Sequence, residues 1–171
     1  DAEAKLILQE LKAGRVDAAI LVQPATGASR GLVWYPLLRK ELVLLAPPGT
    51  SESRIPALFR THDWIRFDPE TNAGRLTARW MRKHVPGARP AMDLQSVQAV
   101  VAMVSAGLGV SIVQQPDAHM TQPLPVRILR LGRDAPSVQV ALMARQADAG
   151  SRKLEVLRDA VASVPDPTAA R

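Results

Sequence analysis

The chain has 171 residues and no cysteine, with 47% hydrophobic and 22% charged residues. This excludes disulfides, thiolate metal sites and a cysteine nucleophile, fits a reducing cytoplasm, and places the chain among globular proteins rather than disordered or membrane-spanning ones. The formal charge is +6, from 22 Lys and Arg against 16 Asp and Glu, but the basic residues are scattered among acids without a long run, so the charge reads as a solvated basic surface.

Asp1-Ala2-Glu3 opens without a basic region and apolar stretch, so no secretory signal is read. Ala4, Ile7, Leu8 and Leu11 fall on one helical face and predict a helix over 2–13, closed by Gly14 at a left-handed cap. The apolar run from Ala18 to Val22 stops at Gln23-Pro24, with Gly27 and Gly31 beyond, and predicts a buried strand. Helix, short turn and all-apolar strand together predict an α/β domain whose parallel sheet is covered on both faces. Residues 32–38 and 42–46 read as two strands parted by Arg39-Lys40-Glu41, with Pro36 keeping the first at an edge. Pro47-Pro48-Gly49-Thr50-Ser51 marks the passage from one lobe to the next.

A short helix over 56–60 then leads to a strand over 64–67 and a loop from Asp68 to Asn72. A helix over 73–84, carrying Leu76, Trp80 and Met81, stops at Pro86-Gly87. An extended segment over 91–95 precedes Ser96, an N-cap for a helix with Val97, Val100, Val101 and Val104. Gly107 closes that helix and a strand follows over 110–113, a strand–helix–strand unit for which a right-handed crossover is expected. Strands over 126–131 and 138–144 flank Gly132–Pro136, a helix over 151–164 is carried by Leu154, Leu157, Val161 and Val164, and residues 165–171 read as a frayed tail.

His62, His84 and His119 have no metal-ligand spacing and read as surface or loop histidines, so no metal is expected. Ser111 lies inside a strand pattern without the second glycine of a nucleophile elbow. Gly107-Leu108-Gly109 follows a helix and precedes a strand, the reverse of a phosphate loop; Gly107 reads as a cap, and Gly109 as a point of close helix–sheet packing. Asp68 and Glu70 share a loop, but nothing completes a catalytic constellation around them. Thr71-Asn72 and Ser96 stand at helix N-termini; singly each caps its own helix, and in a lobed α/β protein the two together offer donors to a small anion.

Three stretches in order, Leu11-Lys12-Ala13-Gly14-Arg15-Val16-Asp17-Ala18-Ala19-Ile20, Pro36-Leu37 with Leu42-Val43-Leu44-Leu45-Ala46-Pro47, and Val104-Ser105-Ala106-Gly107-Leu108-Gly109-Val110, resemble the effector-binding domain of LysR-type transcriptional regulators. The resemblance runs to about residue 164. It implies an α/β, two-lobed, type 2 periplasmic-binding-protein-like fold with two crossing hinge strands, near 44–48 and 134–139. Lobe I would comprise 1–46 and 137–171, and lobe II 47–136. It implies an inducer cleft with contacts at Asp68, Glu70, Thr71, Asn72, Ser96, Val97 and Gln98, and at Gln23 and Pro24 on the opposite lobe.

Such regulators begin with a winged helix-turn-helix, and their effector domain opens with a strand that touches ligand. By that comparison this chain, which lacks an initiating Met, is a piece that starts after that strand and meets DNA only through the absent N-terminal domain. The implied role is a ligand-sensing and dimerisation domain of a cytoplasmic bacterial regulator, a homodimer or tetramer with no cofactor and no membrane contact. The net charge and helix-terminus donors favour a carboxylate or other anion as effector. A solute-binding protein of a transporter is the alternative on the same fold, and an enzyme on that fold would need catalytic residues that the sequence does not supply.

Overall fold

The structure, a computed structural model, describes residues 2–23 and 30–163; Pro24, Gly27, Val164 and the tail 165–171 lie outside them. In chain order the elements are α1 (Ala2–Lys12), β1 (Ala18–Val22), β2 (Leu32–Ala46), α2 (Ile55–Thr61), β3 (Trp64–Phe67), α3 (Asn72–His84), β4 (Pro90–Leu94), α4 (Val97–Ser105), β5 (Ser111–Gln114), α5 (Ala118–Thr121), β6 (Arg127–Arg130), β7 (Ser137–Arg145), a 3-10 turn (Gln146–Asp148) and α6 (Arg152–Ala162). They divide into two units, Asp1–Arg39 with Gln139–Arg171, and Lys40–Val138, so the divisions fall inside β2 and near the start of β7. The sequence placed them after 46 and before 137.

The core of the first unit is organised by β7. Ala141 to Ala144 are all fully buried, so both faces of the strand are covered. Met143 meets Leu8 and Leu11 of α1, with Leu21, Leu32 and Trp34 in the same cluster. Leu142 and Ala144, on the other face, meet Leu154 of α6 with Tyr35 and Leu37. The apolar strand β1 pairs with β7 antiparallel, Ala18 opposite Ala144 through Val22 opposite Val140. It is half-buried, with Ile20 49% exposed, and not the buried parallel strand expected. The apolar run establishes a strand but does not distinguish a central position from an edge.

The end of α1 is closed twice over. Gly14 takes φ +76°, with Gly14 N–H donating to Leu11 O and Arg15 N–H to Glu10 O, so the last turn is capped by its own backbone. The Arg145 guanidinium then donates to both Leu11 O and Val16 O at 2.9 Å and pairs with Asp148 at 2.6 Å. A cation at carbonyls left over by a helix is favoured both by the dipole and by charge-assisted hydrogen bonding.

In the second unit Leu42 to Ala46 of β2 are fully buried between β5 and β6, both antiparallel. The charged triplet 39–41 does not break β2 in two as expected. Lys40 Nζ is neutralised by Asp117 Oδ1 at 2.6 Å and Glu41 O accepts from Gln115 N–H at 2.8 Å, so the strand runs on through the charges. Pro36, exposed, also sits within that single strand.

The strands β3 and β4 pair in parallel, and Trp64 makes a further parallel bridge to Val110 just before β5. Over them α3 buries Ala73, Gly74, Thr77, Trp80 and Met81, and α4 buries Val100, Val101 and Val104. Leu76 is only half-buried. Gly107 caps α4 at φ +80° as expected, but Gly109 differs: a Cβ there would strike Asp63 O and lie 3.1 Å from Ile65 Cγ1, so its constraint is the backbone before β3 rather than a helix. The four-residue α5 and the 3-10 turn were not anticipated, being too short for any periodicity to show. In α6, Leu154 is buried while Val156 and Leu157 are exposed.

Two substitutions test this reading. Arg145→Met keeps an apolar stem but removes the bonds to Leu11 O and Val16 O, and should cost about 1–3 kcal/mol in a denaturant titration. Gly74→Ala adds a methyl group that collides with Asp68 O and Pro69 Cα. Overpacking of about 1–3 kcal/mol should outweigh the roughly 1 kcal/mol gained in helix propensity and lower Tm.

Candidate functional site

Each parallel strand of the second unit is followed by a helix, and this places the sequence-predicted residues. Phe67 and Leu94, the last residues of β3 and β4, are register partners, and Asp68 N–H donates to Leu94 O at 2.9 Å. The loop into α3 and the turn into α4 therefore leave the same carboxyl edge side by side. One step earlier, Arg66 Nε and Nη2 grip Asp93 Oδ1 and Oδ2 at 2.6 and 2.7 Å across the strands. That bidentate bond holds the Asp93 carboxyl below its ordinary pKa.

The loop 68–71 is held by its own polar groups. The Asp68 carboxylate accepts from Glu70 N–H at 2.9 Å, and Thr71 Oγ1 donates to Asp68 O at 2.8 Å. Thr71 Oγ1 also accepts from Gly74 N–H at 2.9 Å, the N-cap expected for α3. Ser96 Oγ caps α4 in the same way, accepting from Ala99 N–H at 3.4 Å. Neither helix has an acidic residue in its first turn, though Asp68 and Glu70 stand in the loop just before α3.

The structure thus brings Asp68, Glu70, Thr71 and Asn72 to one edge with Ser96, Val97 and Gln98. Glu70, Ser96 and Gln98 are exposed, while Asp68, Thr71, Asn72 and Val97 are half-buried. Gln23 belongs to the first unit, where its N–H extends the β1 ladder to Gln139 O at 2.7 Å; Pro24 lies outside the described residues.

Sequence reasoning missed Gly74. Its bare Cα lets the Asp68-Pro69 backbone lie directly on the first turn of α3, and the only signal was a glycine inside a helical pattern. It also missed the Arg66–Asp93 clasp, which depends on a register not readable from either strand alone. The discarded Ser111 is fully buried within β5. His84 is not a loop residue: it ends α3, stacks on Trp80 with centroids 4.3 Å apart and lies 3.0 Å from Asp134 Oδ2. No group of metal-binding side chains occurs among the described residues.

Comparison with known proteins gives these elements a family. No curated protein sequence matches the chain. Among solved structures it is similar to a reduced form of OxyR from N. meningitidis, with TM-score 0.68 and 20% identity over 92% of this chain and 75% of that one. It is similar to the reduced OxyR regulatory domain from Pseudomonas aeruginosa, with TM-score 0.70 and 19% identity over 92% and 78%. It also resembles the effector binding domain of QuiR in complex with shikimate, with TM-score 0.70 and 18% identity over 92% and 75%. The LysR substrate binding domain model matches residues 2–165. The chain therefore belongs to the LysR substrate binding domain family, the effector-binding part of LysR-type transcriptional regulators, and has its α/β, two-lobed, periplasmic-binding-protein-like fold.

Proposed function

We propose that this domain senses a small anionic effector for a bacterial transcriptional regulator, and that the carboxyl edge of β3 and β4 supplies its anion-binding half. The observation that carries this reading is the pair of capped N-termini, α3 at Thr71 and α4 at Ser96, neighbouring one another with no acid in either first turn. Backbone N–H groups and the positive ends of two helices favour a carboxylate there. Shikimate bound to QuiR, itself a carboxylate, agrees with that chemistry.

Within the site Thr71 and Ser96 shape the helix ends, Asp68 holds the loop, and Asn72 and Gln98 offer amides to the ligand. Val97 contributes apolar surface. Effector binding shifts an equilibrium between forms of a cytoplasmic homodimer or tetramer that contacts DNA through a separate helix-turn-helix domain. Without a cysteine, these 171 residues carry no thiol–disulfide switch of their own. Self-association is supported by exposed apolar side chains of the first unit, Leu6 at 56% and Val156 at 61%.

A thermal-shift screen of small carboxylates lacking an amino group, each beside its amide or methyl ester, tests the site. A true effector at about 100 times its Kd should add about 2.7 kcal/mol, or several degrees, while its neutral counterpart adds nothing. Thr71→Ala with Ser96→Ala should abolish that increment even though the baseline Tm also falls. Binding by neutral or cationic compounds alone would refute the anionic reading. In sedimentation velocity the protein should run as a dimer or larger, and Leu6→Glu should weaken that association; a monomer at all concentrations removes oligomerisation from the proposal.

A further inference from the structure

At the amino end of the same parallel strands, away from the helix N-termini, the second unit has a cavity of about 440 Å³. Three segments distant in sequence form its wall: 59–64 leading into β3, 88–89 leading into β4, and 107–109 leading toward β5. Its size falls within the range of small-molecule sites, about 300–1,000 Å³.

The lining is mainly polar, open to solvent, and carries both signs of charge. Arg60 and Arg89 bring guanidinium groups and Asp63 a carboxylate, all three residues exposed, and Phe59 and Leu108 add a little apolar surface. Phe59 is fixed edge-on to Trp64, with centroids 5.9 Å apart and planes at 87°, and Leu108 is 50% exposed. His62 is occupied, its Nδ1 lying 3.0 Å from Thr61 Oγ1 and 3.3 Å from Leu58 O. Among the described residues, the side chains of Arg60, Asp63 and Arg89 make no ion pair or hydrogen bond, with one another or with any neighbour. Most other acids of this unit are engaged: Asp93 with Arg66, Asp117 with Lys40, Asp134 with Lys83, and Glu52 with Arg54.

A ligand of one charge fits this wall badly. A simple anion would meet Asp63 and the carboxyl end of α4, whose closing residues Gly107 and Leu108 lie in the wall and whose dipole disfavours negative charge. A simple cation would meet two guanidinium groups. A dipolar ligand meets both signs of charge at once. We propose that this cavity binds a small α-amino acid zwitterion. Its carboxylate engages Arg60 and Arg89, its ammonium group engages Asp63, and its side chain is small or polar, as the mainly polar lining requires. This site is independent of the carboxyl-edge site and gives the domain a second input.

Isothermal titration with L-serine and L-alanine tests it, beside N-acetyl-L-alanine, which lacks the cation, and ethylamine, which lacks the carboxylate. One amino acid should bind per chain, with each single-charge analogue weaker by about tenfold or more. Arg60→Ala with Arg89→Ala, and separately Asp63→Asn, should each weaken amino-acid binding by about tenfold or more while leaving the Tm of the free protein unchanged, because these side chains hold nothing in the fold. No binding by either amino acid, equal binding by an analogue, or undiminished affinity in the variants would overturn the proposal.

Discussion

The edge that carries the candidate site depends on the parallel pairing of β3 with β4. Parallel strands cannot be joined by a tight turn, so the chain must cross back through a helix, and each helix that follows a strand starts at the same edge. That requirement, rather than any one side chain, makes neighbours of Thr71 and Ser96. The Arg66–Asp93 clasp and the bond from Asp68 N–H to Leu94 O fix the register at the last step before the helices begin. A slip of one residue in β4 would break both and turn its side chains to the opposite face.

Much of this was legible in the sequence because the signals were local. The N-caps Thr71 and Ser96, the glycine stops at Gly14 and Gly107, and the apolar spacing of α4 each depend on a few consecutive residues. What escaped were properties that belong to partners. Whether β1 is central or at an edge depends on what pairs with it, and its five apolar residues are the same in either case. Arg39-Lys40-Glu41 reads as a break until Asp117, far along the chain, is known to neutralise Lys40. The site followed the same rule: its loop and its caps could be read, whereas Gly74 and the Arg66–Asp93 pair become meaningful only once the loop lies on the helix and the strands are in register.

The overall charge conceals a similar distinction. The sequence shows basic and acidic residues interspersed, yet the structure spends several carboxylates on specific cations. Asp93 and Asp134 are held below their ordinary pKa by hydrogen bonds from Arg66 and Lys83, and Glu52 is drawn down to about 2 by Arg54. With those acids engaged, the positive excess is concentrated on arginines such as Arg60 and Arg89. A net charge is thus a poor guide to where a domain is electropositive, because pairing redistributes it.

The absent side chain at Gly74 separates what can drift from what cannot over evolutionary time. The loop beside it rests backbone on backbone, so its path tolerates no larger residue on the helix beneath. The exposed side chain of Glu70 is under no such restriction. Descendants of this sequence can therefore exchange the side chains presented at that edge while inheriting an unchanged main-chain path. The chemistry of the edge can then change by single substitutions, without the fold having to be rebuilt around them.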